Sequence, residues 1–138
     1  AAYADIETRA RVARNYLELH PNYPPALRAL AEWYAFRGVY DWAVELAEKA
    51  RAGGEVVSPV MLGRCYWELS DDLPRSGSLT RDGCLAAARR EFTAALEHLS
   101  DASQRAYLTL LLESPALRPG GARGAATRPA TQTAPTGR

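Results

Sequence analysis

Between Ala4 and Leu19 the apolar residues Ile6, Ala10, Ala13, Tyr16, Leu17 and Leu19 return every three or four positions, with polar residues between them. That spacing puts an apolar stripe along one face of an α-helix. The pattern stops at His20-Pro21-Asn22-Tyr23-Pro24-Pro25. Proline lacks the N–H a helix interior needs and pushes the residue before it toward extended geometry. Pro24 and Pro25 suit the first turn of a new helix, expected over 24–37 with Leu27, Leu30, Ala31, Tyr34 and Ala35 on one stripe. Gly38 ends it, and a further helix is expected over 40–50, carrying Ala43, Val44, Leu46, Ala47 and Ala50 and stopping before Gly53-Gly54. So short a link folds the two into an antiparallel hairpin.

A second hairpin follows in outline. Residues 58–69 read as a helix with Ser58 as N-cap and Pro59 at the first helical position. The stretch 70–83, SDDLPRSGSLTRDG, is rich in turn formers and lacks apolar periodicity, so it predicts an inserted surface loop. Helix returns over 82–99 with Leu85, Ala88, Phe92, Ala95, Leu96 and Leu99, and a last amphipathic run covers 102–113. From Pro115 onward there is no aromatic residue, and Leu117 is the one large aliphatic side chain. Such a tail buries too little apolar surface to offset the entropy of ordering it. The expectation is an all-α protein: a helix-hairpin array over 1–113 and a disordered tail over 114–138.

Charge refines this picture. The 138 residues carry a formal charge of +1, yet Arg118, Arg123, Arg128 and Arg138 lie in the acid-free tail. The remainder holds 13 basic against 16 acidic residues, a balance unlike the concentrated basic face of a nucleic-acid binder. Cys65 and Cys84 are too few for a disulfide framework, which points to a reducing, intracellular setting. No run reaches the roughly 18 to 20 apolar residues of a membrane span, and the first ten residues lack a signal-peptide profile. The first residue is Ala1 rather than Met, which suits a fragment of a longer chain.

The spacing Leu27, Leu30, Ala31, Tyr34, Gly38, Tyr40, Ala43, Ala47, Ala50 follows the tetratricopeptide pattern W-x2-L-G-x2-Y, then A-x3-F, then P, over about 34 residues. Leu27 stands for the Trp, Ala31 for the Gly and Ala47 for the aromatic. The preceding segment 16–22, YLELHPN, resembles the closing part of such a repeat, with Pro21 in the proline's place. Ala88, Phe92 and Ala95 reproduce the second-helix signature. Two registers remain for their partner helix, one through Leu62-Gly63-x2-Tyr66 and one through Tyr66-x2-Leu69. The chain thus resembles the tetratricopeptide repeat family over residues 4–99, entered in the second helix of one repeat; the loop at 70–83 departs from the pattern. A narrower set, Pro21, Ala26-Leu27, Leu30-Ala31, Phe36, Gly38, Leu46, Ala50 and Cys65-Tyr66-x2-Leu69, is similar to tetratricopeptide scaffolds of the polymerase-associated-factor complex. These accompany RNA polymerase II during transcription elongation, which implies a nuclear rather than a cytoplasmic place.

The resemblance implies an α-solenoid segment binding protein partners on a concave face formed by first helices. That face would take Arg28, Glu32 and Ala35 from one helix and Val60, Arg64 and Trp67 from the next. Glu32 occupies a position where peptide-carboxylate binders of the family carry Asn, and its charge would repel a carboxylate. Trp42 stands where a polar residue is usual, so an interface role competes with simple cover for a neighbouring helix.

Catalysis has little to work with. His20 and His98 have no Ser, Cys or Asp at a nucleophile-and-base spacing. No metal-ligand spacing is present, and Gly53-Gly54 lacks the Lys and Ser or Thr of a phosphate loop. The reading is therefore a non-catalytic interaction scaffold without cofactor or metal, taking protein partners, with no membrane and direct nucleic-acid binding disfavoured. The alternatives are a helical-repeat RNA binder and a regulatory or oligomerisation segment of a larger enzyme.

Overall fold

A computed structural model describes residues 2–74 and 77–118. Its order is α1 (Ala2–Leu19), α2 (Pro24–Arg37), α3 (Tyr40–Ala52), α4 (Pro59–Ser70), α5 (Arg81–His98) and α6 (Ala102–Glu113), with no strand among the described residues.

Local chemistry sets the boundaries. Ser58 Oγ accepts the Met61 N–H at 3.2 Å, Thr80 Oγ1 accepts that of Gly83 at 3.0 Å, and Asp101 Oδ1 that of Gln104 at 2.9 Å. Each satisfies a donor that the start of a helix would otherwise leave without a partner. At the end of α2, Gly38 adopts φ 79°, and the chain turns as the Gly38 N–H bonds Ala35 and the Val39 N–H bonds Tyr34. An L side chain is strained in that left-handed conformation. Gly38 is itself exposed, so, although the repeat spacing lists it beside the packing alanines, its contribution is to the backbone turn.

Packing then alternates. Helix α2 pairs with α3 and α4 with α5, α1 lies on α2, α3 on α4, α5 on α6, and α2 also touches α4. This is a solenoid-like stack of helix hairpins. Ala31, Ala43, Ala47 and Ala50 are fully buried, so α2 and α3 can approach closely, with Leu27 buried in the same cluster. In α4–α5 the space is divided differently. A Cβ on Gly63 would stand 2.5 Å from the Phe92 ring, which is itself fully buried. Of the two open registers, this contact fits the one running through Leu62-Gly63-x2-Tyr66.

Three features differ from the expectation. The connection between α4 and α5 is shorter than 70–83, because Ser70 closes one helix and Arg81 opens the next. The expected tail begins too early: residues 114–118 form a turn, and Leu117 is 1 % exposed within the core. One aliphatic side chain suffices there because α6 delivers it directly to the core. Residues 119–138 lie outside the described residues. Trp33, absent from the stripe expected over 24–37, is buried with Ala10, Ala13, Ala26 and Leu30 between α1 and α2.

Candidate functional site

The even-numbered helices line a groove. Its main part, about 740 Å³, takes Glu32, Ala35 and Phe36 from α2, Val60, Met61 and Arg64 from α4, and Ile6 and Arg9 from α1. A smaller depression of about 250 Å³ continues it, between Arg64 and Trp67 of α4 with Asp71 just past its end, and Tyr107 and Leu111 of α6. Arg64 and Glu68 line both parts. The two depressions therefore share one ledge along α4.

Every third or fourth residue of a helix shares a face, which is why Glu32, Ala35 and Phe36 appear together, as do Val60, Arg64 and Trp67. The polar groups are mostly engaged. Glu32 lies 3.3 Å from Arg9 and 3.7 Å from Arg28, so two guanidinium groups offset the negative charge expected to dominate this spot. Arg28 is drawn to the rim, where it pairs with Glu55 at 2.9 Å and donates to the Val56 carbonyl. No described carboxylate lies within 4.0 Å of the exposed Arg64. The groove thus offers an apolar floor of Ile6, Ala35, Phe36, Val60 and Met61 with one unengaged cation near its middle.

Sequence reasoning placed Glu32, Ala35, Val60 and Arg64, which the fold brings together here. Trp67 sits in the adjoining depression, its ring 6.1 Å from Phe92. Arg28 stands at the rim. Trp42 is elsewhere: it is 54 % exposed on α3 and presents its ring edge-on to Tyr34 at 5.2 Å. Phe36, Met61 and Tyr107 were missed. Phe36 was legible, being one helical turn beyond Glu32 on the same face, whereas Tyr107 required knowing that α6 lies beside α4.

A half-buried ionic link, with the carboxylate the buried partner, ties the two hairpins together. Arg51, at the end of α3, donates two bonds to Glu91 of α5 at 2.8 and 2.9 Å. The Tyr66 hydroxyl of α4 donates to Glu48 of α3 at 2.6 Å. The Glu91 hydrogen bond raises the Arg51 pKa above its ordinary value against the opposing effect of burial, and burial followed by the Glu48 bond raises that of Tyr66. Such forked Arg–carboxylate pairs set orientation as well as distance. The two hairpins are held at one angle.

Reactive chemistry is sparse. Burial pushes the Cys65 thiol up to about 11 and raises that of Cys84, so neither is a thiolate near neutral pH. His20 stacks on Tyr16 at 4.4 Å. Cys84 and His98 lie near opposite ends of α5, roughly 20 Å apart along its axis, and cannot meet within one chain. Among the described residues no three His, Cys, Asp or Glu side chains converge as a metal site, and no helix is long and apolar enough to cross a membrane. Comparison with known proteins finds no match among protein-family patterns, curated proteins or solved structures.

Proposed function

We propose that the chain is a non-catalytic protein-interaction scaffold of tetratricopeptide type that holds a peptide segment of its partner in the groove between α2, α4 and α6. The observation that carries this reading is the groove itself: a continuous concave ledge with an apolar floor and charged flanks. Such a surface suits a segment that lays apolar side chains along it. The rigid Arg51–Glu91 link supports the same role, since a preorganised groove loses less freedom on binding. Placement in a nuclear transcription-elongation assembly is a finer proposal, and the residues shared with those scaffolds are what support it.

The test is a peptide display library panned against the purified chain, with the selected peptides titrated by fluorescence anisotropy. Phe36→Ala and Val60→Asp are each expected to weaken binding by at least about tenfold, the effect of losing a central contact, while Trp42→Ala leaves it unchanged. Peptides indifferent to both groove substitutions would overturn the reading. So would preferential capture of single-stranded RNA that weakens steeply with salt.

A further inference from the structure

Helix α4 is interior to the stack, with α3 and α5 packed against it and α2 touching it. Its groove-facing side is therefore set by the fold and not by where the described residues begin or end. Along that side, Arg64 and Glu68, then Asp71 just past the helix end, follow at intervals of four and three residues, one row on one face. All three are exposed. No ion pair of 4.0 Å or less joins any of them to a described residue. Arg64 cannot easily be matched by Glu68, because a cation preceding its acid is the poorer order for a pair one turn apart. The row presents an unmatched cation followed by two unmatched carboxylates.

Two aromatic side chains stand with those carboxylates. The smaller depression, about 250 Å³, is lined by Trp67 and Tyr107 together with Glu68, Asp71, Arg64 and Leu111. Trp67 is half-buried, and the fully buried Phe92 backs its ring at 6.1 Å. An aromatic face attracts a cation, and a carboxylate bonds one more strongly than a neutral acceptor does. A Lys or Arg stem covers apolar surface while its charged head stays at the rim. The volume is below the roughly 300–1,000 Å³ of a site for a whole small molecule, and it suits one long side chain.

Resting on the reading of the groove as a peptide site, we infer that this depression takes a Lys or Arg side chain of the partner segment. An acidic residue of the same segment lies on Arg64, between that basic side chain and the apolar residues on the floor of the main groove. The segment is read in the order apolar, acidic, basic from α2 toward α6. Residues 119–138 of the chain itself match this poorly: they bring Arg123, Arg128 and Arg138 but no acidic and no large apolar side chain.

The test uses peptides panned on the full chain and weakened by Val60→Asp, titrated by fluorescence anisotropy. Replacing their Lys or Arg by Glu should weaken binding to the wild type by at least about tenfold, since it sets like charges against each other. The full chain carrying Glu68→Lys with Asp71→Lys should instead prefer the Glu-bearing peptide, a reversal that no general loss of fold produces. If circular dichroism shows that this variant has lost its helices, Glu68→Gln with Asp71→Asn should erase the preference for the basic side chain. Peptides sensitive to Val60→Asp but indifferent to the charge exchange overturn this inference and leave the peptide reading standing; the absence of any such peptide removes both. A gain in peptide affinity on Arg123→Ser with Arg128→Ser would make the chain's own tail the occupant and overturns the inference as well.

Discussion

The α2–α3 and α4–α5 hairpins bring two helices to close approach with opposite distributions of bulk. In the first, the second helix is pared down to Ala43, Ala47 and Ala50, all fully buried, and the first supplies Leu27 and Ala31. In the second, the first helix gives up its side chain at Gly63, and Phe92 fills the space from the other side. The turns differ as well: a left-handed Gly38 joins the first pair, while residues 71–80 separate the second. Both arrangements fill the space between their helices, because a close-packed interior tolerates neither voids nor overlap.

The largest break in this comparison is expected from Phe92→Ala, which empties the second interface while Gly63 opposite offers nothing to refill it. A loss of about 3–5 kcal/mol, read from urea unfolding, is the expected outcome; a loss below about 1 kcal/mol would mean that α4 and α5 are not wedged by this ring. Next comes the link between the hairpins. Arg51→Ala strands the Glu91 carboxylate, whose side chain is 6 % exposed, and should cost about 3 kcal/mol. The double replacement Arg51→Leu with Glu91→Leu should recover much of that, since no buried charge remains.

Exchanging the two packing solutions sharpens the contrast. Ala47→Phe puts the ring of the second hairpin into the first, where Ala31 has a Cβ that Gly63 lacks, and should cost about 2 kcal/mol by overpacking. Adding Ala31→Gly should return part of it, and a double-mutant cycle measures that coupling. At the turn, Gly38→Ala forces an L side chain to φ 79° and should cost about 1 kcal/mol; in the 71–80 connection the described position with a positive φ is also a glycine, Gly77 at φ 140°.

The mildest test is pH. Cys65 ionises from its ordinary 9.0 at about 11 in the folded chain because burial disfavours the thiolate. Between those values the unfolded state has released its proton and the native state has not, so the unfolded state binds fewer protons. Stability therefore falls as pH rises through that window. Cys65→Ala should flatten that part of the urea-midpoint profile, with Tyr66 adding a decline of the same sign.

Much of the architecture is legible in the chain because it is decided within a few residues. Apolar side chains three and four apart choose the helix, Pro24 and Pro59 open it, Ser58 caps it and Gly38 turns it, each through contacts its near neighbours supply. Half of the groove followed from the same logic, since Glu32 with Ala35 and Val60 with Arg64 are spaced to share a face. Helical periodicity tells which side a residue points to, but not what stands opposite. The pairing of Arg51 with Glu91 spans 40 positions, and the inward turn of Leu117 reverses what composition implied for 114–118. The meeting of Gly63 with Phe92 and the placing of Tyr107 beside Arg64 belong with them. All of these depend on where one helix axis lies relative to another. That position is set by the joint packing of side chains far apart in sequence, so only the tertiary structure could decide it.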